Sequence, residues 1–120
     1  MIAVRYIVDQ VDAASAFYVE HLGFTVKEKW GPVTVLTRDG VDLWISGPGS
    51  SAVKTAVDGA APRPGGSARL VVTLNDLEAI LASLAAAGVK PRSELVKGPA
   101  GSWTVIADPA GNHVELFQPK

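Results

Sequence analysis

Two stretches of this chain carry the same elements in the same order at nearly the same spacing, and no other feature limits the possible folds as much. Residues 2–8, IAVRYIV, read as an apolar, β-branched strand. Asp9 and Asp12 follow in a capping-box pattern, and Val11, Ala14, Phe17, Tyr18 and Leu22 mark one helical stripe that Gly23 stops. Residues 68–74, ARLVVTL, repeat the strand; Asn75 and Glu78 repeat the box; Leu77, Ile80, Leu81 and Leu84 repeat the stripe; Gly88 repeats the stop. Val8 to Gly23 spans 15 positions and Leu74 to Gly88 spans 14.

Three strand candidates follow each helix. In the first half they are Phe24–Lys29, Val33–Arg38 and Val41–Ser46, with Asp39-Gly40 as a hairpin turn. In the second they are Val89–Val96, Ser102–Ala107 and Asn112–Gln118. Gly, Pro, Ser and Ala dominate residues 47–67, which read as a linker with a short ordered piece at Ala52–Val57. The expectation is a single α+β domain over residues 1–120: module one at 1–46, linker at 47–67, module two at 68–120, each module βαβββ. One helix covers one face of a four-stranded sheet, so two curved mixed sheets can enclose a cleft with their other faces. Strand parity turns Val4, Tyr6 and Val8 toward the helix and Ala3, Arg5 and Ile7 away from it. In the repeat, Leu70, Val72 and Leu74 face the helix, and Arg69, Val71 and Thr73 face away. Aligning Gly40 with Gly111 makes Trp44 the repeat equivalent of Glu115, with Asp42 and Ser46 on the face of Trp44.

Composition excludes several classes. Hydrophobic residues make up 48% of the chain and charged residues 19%, which suits a folding sequence with a core. A net charge of −1 with interspersed signs points to neither a nucleic-acid nor an anionic-membrane partner. There is no cysteine, hence no disulfide, thiolate metal site or Cys nucleophile. No apolar run approaches the ~20 residues of a membrane span. MIAVRYIVDQ lacks a signal-peptide pattern, so a cytoplasmic location is expected. No Ser-His-Asp arrangement or phosphate loop is readable.

The end of the chain, DPAGNHVELFQP from Asp108 to Pro119, reads as a tight turn feeding a terminal strand. His113, Glu115 and Phe117 alternate with Val114 and Leu116, and a mid-strand carboxylate marks a candidate site. Together with AFYVEHLGF near the start, this segment resembles the vicinal oxygen chelate superfamily, the glyoxalase, bleomycin-resistance and extradiol-dioxygenase group. The resemblance runs the whole length of the chain. It implies paired βαβββ modules around a cup-shaped cavity, usually in a homodimer whose modules are shared or swapped between subunits. It leaves function open, because this scaffold hosts isomerases, dioxygenases, thiol transferases and non-catalytic drug binders.

In metal-dependent members, four ligands stand on the first and last strands of each module. Carried onto this chain, the resemblance puts those positions at Ala3, Trp44, Arg69 and Glu115, of which only Glu115 can bind a metal. His21, near a helix end, and His113, two residues from Glu115, do not complete a set. The expectation is a protein without metal or other cofactor.

The residues in place of the ligands suggest binding. Trp44, Trp30 and Trp103 offer flat apolar surfaces at strands and strand ends. Arg5 and Arg69 can stack on a planar ligand, hold its oxygens, or neutralise Glu115 and Asp42. Asp42, Glu115 and His113 supply polar contacts, and Phe117 shares their face. The leading expectation is a metal-free binding protein that sequesters a planar aromatic or glycosylated natural-product antibiotic. The alternative is a lyase, isomerase or cyclase of natural-product metabolism, with Glu115 as general acid or base and Arg69 steadying an oxyanion. A third reading is a protein with a vestigial cavity that acts through dimer contacts.

Overall fold

The computed structural model describes residues 2–120. The chain forms two compact units: one runs to Gly65 and includes Pro109–Asn112, and the other comprises Gly66–Asp108 and His113–Lys120. The architecture is α+β, with two four-stranded mixed sheets of the same topology.

The first unit contains β1 (Ala3–Ile7), α1 (Val11–Leu22), β2 (Thr25–Trp30), β3 (Val33–Arg38), β4 (Val41–Ser46) and the short α2 (Ser51–Lys54). Its sheet order is β1-β4-β3-β2, with β1 parallel to β4 and the other pairs antiparallel. The second unit contains β5 (Leu70–Thr73), α3 (Leu77–Ala86), β6 (Val96–Lys97), β7 (Gly101–Ala107) and β8 (His113–Pro119). Its order, β5-β8-β7-β6, repeats the first, again with one parallel pair.

Local chemistry accounts for most of these elements. Gly23 takes φ 72° and donates its N–H to the Tyr18 carbonyl, which ends α1 where the sequence predicts. Asp39 and Gly40 both have positive φ, the geometry of a two-residue hairpin turn that preserves strand twist. The predicted ranges of β3 and β4 are those observed.

The helix starts differ from prediction by one residue. Gln10, not Asp9, occupies the N-cap of α1, and it makes no side-chain cap bond; Asp12 in the first turn still complements the helix dipole. Asp76, not Asn75, caps α3 by accepting from the Ala79 N–H at 3.0 Å. Gln118 of β8 accepts from the Leu77 N–H at 2.7 Å and satisfies a second free donor there.

The largest departure is at residues 89–96, where only Val96–Lys97 form a strand. Pro91 has no N–H to give to a ladder. The segment is held to β7 by other means: the Arg92 N–H donates to the Val105 carbonyl, and Ser93 Oγ accepts from the Val105 N–H at 3.0 Å.

Each sheet is apolar on its helix-facing side. In the first unit Tyr6, Val8, Leu36, Leu43 and Ile45 pack with Ala14, Phe17, Tyr18 and Leu22. Tyr18 is fully buried and meets Phe17 and Phe24 edge-on, with centroids 5.4 and 5.5 Å apart. Fully burying an aliphatic or phenyl side chain contributes about 1.5–3 kcal/mol before entropy is counted. In the second unit Leu77 and Leu84 are buried with Val114 and Leu116, while Ile80 and Leu81 are half-buried. Among the described residues no helix is long and apolar enough to cross a membrane.

Asn112 does more than turn the chain. Its Oδ1 accepts from the Gly65 N–H at 2.8 Å, and its Nδ2 donates to the Ile7 carbonyl at 2.9 Å. Asn112→Ala leaves both backbone groups without this partner and is expected to cost about 1–3 kcal/mol, read as a lower urea midpoint. Asp76→Ala is expected to cost about 1 kcal/mol. Asn75→Ala should stay within about 0.5 kcal/mol, and a reversed order for this pair would contradict the cap assignment.

Candidate functional site

On the sheet of the first unit, the face away from α1 gathers four predicted residues. Arg5 of β1 stands opposite Trp44 of β4, and Ala3 opposite Asp42. Trp30 pairs with Val33, which pairs with Ser46, so the last residue of β2 lies on this face too. The guanidinium of Arg5 sits over the Trp44 ring, 5.0 Å from its centroid. Trp30 meets Trp44 edge to face at 5.1 Å and 85°. Arg5 Nη1 also donates to Ser46 Oγ at 2.9 Å, and Ser46 Oγ donates to the Trp44 carbonyl at 3.2 Å. Ser46 is fully buried, Trp44 half-buried, and Trp30 45% exposed, so the indole pair offers an open edge above a fixed base. The buried Trp44 Nε1–H meets no acceptor among the described residues.

Asp42 is neutralised by a residue the sequence reading did not single out. Its Oδ2 accepts from Lys27 Nζ at 2.8 Å, so neither Arg5 nor Arg69 is its counter-ion. The β2–β3 register slips between Val26 and Glu28, which makes Lys27 the extra residue of a β-bulge. Lys27 keeps the parity of Thr25, which pairs through Thr37 with Asp42, and the bulge then switches the parity so that Glu28 and Trp30 also lie on this face. No strand pattern in TVKEKW announces that slip. The hydrogen bond from Lys27 holds the Asp42 carboxyl below its ordinary pKa; burial opposes that shift, and a hydrogen bond from Thr37 adds to it.

In the second unit the face away from α3 brings together Arg69, Trp103, Glu115 and Phe117. Arg69 directly precedes β5 and reaches Glu115, with Nε and Nη2 donating to Oε1 at 3.1 and 2.8 Å. Its guanidinium also lies over Trp103, 5.5 Å from the ring centroid. Trp103 pairs with Phe117 across the β7–β8 ladder, and Val105 pairs with Glu115. His113 shares the parity of Glu115 but stands at the far end of β8 from Phe117, opposite Ala107. His21 is on α1 with its ring against Phe17 at 5.4 Å, apart from this chemistry. The repeat alignment survives in the registers: Trp44 and Glu115 are the residues of β4 and β8 that oppose Arg5 of β1 and Val71 of β5.

This donor set does not fit a catalytic divalent cation, which takes about three protein ligands. Of Ala3, Trp44, Arg69 and Glu115, only the last has a metal-binding atom, and Arg69 covers its Oε1 with two N–H groups. Among the described residues no three or more His, Cys, Asp or Glu side chains gather into a metal set.

The Lys27–Asp42 pair has a pH signature. A carboxyl whose folded pKa is depressed stabilises the fold above its unfolded value near 3.8, and that contribution is lost as pH falls through the folded value. Lys27→Met should therefore lower the urea midpoint at pH 7 by more than at pH 3. Equal deficits at the two pH values would show that the pair contributes only packing.

Comparison with known proteins places this geometry in a family. The sequence model described as the glyoxalase/bleomycin resistance protein/dioxygenase superfamily matches residues 2–116. No match to a curated protein was found. Among solved structures, TnmS3, an antibiotic binding protein from Streptomyces sp. CB03234, is 24% identical, with 98% of this chain and 93% of that one covered at a TM-score of 0.74. A lactoylglutathione lyase from Agrobacterium tumefaciens is 21% identical, with 98% and 92% covered at 0.71. A glyoxalase-related enzyme from Fulvimarina pelagi is 19% identical, with 98% and 86% covered at 0.78. At these identities the likeness is one of fold, and the fold is shared by a binder and by enzymes. The chain belongs to the glyoxalase/bleomycin resistance protein/dioxygenase superfamily.

Proposed function

We propose that this protein binds a planar aromatic or glycosylated natural-product antibiotic and protects by sequestration, without turnover. One observation carries the reading: in each unit, on the sheet face away from the helix, an arginine lies over an indole, at 5.0 Å in the first and 5.5 Å in the second. Indole faces and edges contribute about 0.5–1.5 kcal/mol per aromatic contact beyond area burial. Guanidinium groups add cation–π attraction and directed N–H donors for ligand oxygens. Trp44 and Arg69 stand where metal-dependent relatives would carry ligands, and their chemistry suits a π-rich guest. The ligand residues of this reading are Trp44, Trp30, Arg5 and Asp42 in the first unit and Arg69, Trp103, His113, Glu115 and Phe117 in the second. We also propose that the protein works as a single domain in the cytoplasm and pairs as a homodimer.

Sequestration works by mass action, so affinity and a slow off-rate matter. The competing reading, general acid–base catalysis by Glu115 beside Arg69, is favoured by the contact between those two side chains. A panel of planar DNA-damaging antibiotics separates the two. Under sequestration the drugs quench tryptophan fluorescence saturably, raise the melting temperature, and are recovered with unchanged mass. At 100 times Kd the added stability is about 2.7 kcal/mol. A change in drug mass that disappears in Glu115→Gln would establish catalysis, and a panel without quenching or thermal shift removes the binding reading.

A further inference from the structure

The two arginine–indole stacks differ in charge balance. Arg69 gives two N–H groups to Glu115, so the second unit's stack is neutral. Among the described residues no carboxylate lies within ion-pairing distance of Arg5; its one hydrogen bond goes to the neutral Ser46 hydroxyl. The nearby carboxylate, Asp42, is taken by Lys27. Glu28 shares the cross-strand rung of Arg5, through Val35 and Trp44, but stands three strands away. At about 4.8 Å per strand spacing the gap is about 14 Å, longer than the Debye length at physiological salt. Arg5 is thus an exposed cation, fixed against an aromatic platform by Ser46, with most of its five N–H donors uncommitted.

From this asymmetry we infer that the Arg5–Trp44–Trp30 face selects acidic aromatic guests. The planar ring packs on the indole pair, and an ionised carboxylate or phenolate on its edge meets the Arg5 guanidinium. A carboxylate oxygen pair matches the planar fork of arginine, and charge-assisted bonds of this kind are about twice as strong as neutral ones. In the second unit Glu115 already neutralises Arg69, so the inference concerns the face of the first unit alone. This inference rests on the binding reading above and adds the charge of the ligand to it.

The test compares 2-naphthoate with neutral 2-naphthamide by calorimetric titration against the full chain and its Arg5→Met and Arg5→Lys variants. The expected result is an approximately tenfold preference for the acid in the unaltered protein. Arg5→Met should abolish that preference, weakening naphthamide as well but naphthoate about tenfold more, so that the two affinities converge, and Arg5→Lys should retain part of the preference. Raising salt from 0.05 to 0.5 M should weaken naphthoate binding alone. Should Arg5→Met fail to fold, the Arg5→Lys and salt results decide. Equal affinity for the two probes, or a preference that survives Arg5→Met, overturns the inference. Failure of both probes while the antibiotic panel still quenches also overturns it but leaves sequestration standing; failure of probes and panel together removes both.

Discussion

Each unit closes by laying its first strand parallel to its fourth, and that pairing governs everything else. Parallel neighbours cannot be joined by a hairpin, so the chain must leave the sheet and return. It does so through one helix, which packs on one face and consumes the apolar alternate residues there. The opposite face is left to side chains free to be chosen for chemistry. Arg5 and Trp44 meet because β1 and β4 are parallel neighbours in that register; in the second unit the equivalent pair is Val71 and Glu115, and Arg69, just before β5, reaches along the strand to Glu115.

Much of this was legible in the sequence, for identifiable reasons. Helix stops and hairpins depend on single residues with unusual backbone freedom, so Gly23 and Asp39-Gly40 could be read directly. Strand parity is a strict period of two, so Trp44 and Glu115 could be assigned to one side of their sheets. The features that escaped depend on partners far along the chain. Asp76 outcompetes Asn75 as a cap because the helix begins one residue later, where β8 supplies Gln118 to share the end. Residues 89–95 look like a strand by composition but follow β7 through one backbone bond from Arg92 and the Ser93 side chain, without a continuous ladder. Lys27 meets Asp42 across two strands, and Trp30 joins the same face only because β2 bulges, which leaves no mark in a six-residue pattern.

The same logic explains why family membership alone does not assign a role. The scaffold fixes where side chains point and leaves their identity open. Of the four positions that the resemblance assigns to metal ligands, two carry an indole and a guanidinium, Trp44 and Arg69, and only Glu115 keeps a metal-binding group. Under the proposed binding role, attraction between a positive group and a π face takes the place of attraction between a positive ion and lone pairs. Both are electrostatic, but the first tolerates a broad, flat guest and the second demands oxygens at fixed distances.

Asn112 bears on how the molecule is made. It lies between two strands of the second unit yet bonds Ile7 and Gly65 of the first, so the first unit is discontinuous along the chain. During synthesis from the N-terminus, α1 and its sheet can assemble early, but the last hydrogen bonds of that half wait until almost the whole polypeptide has emerged. The dependence runs one way: residues that complete the first unit are encoded late in the second half, so the first half of the coding sequence does not by itself specify a finished piece.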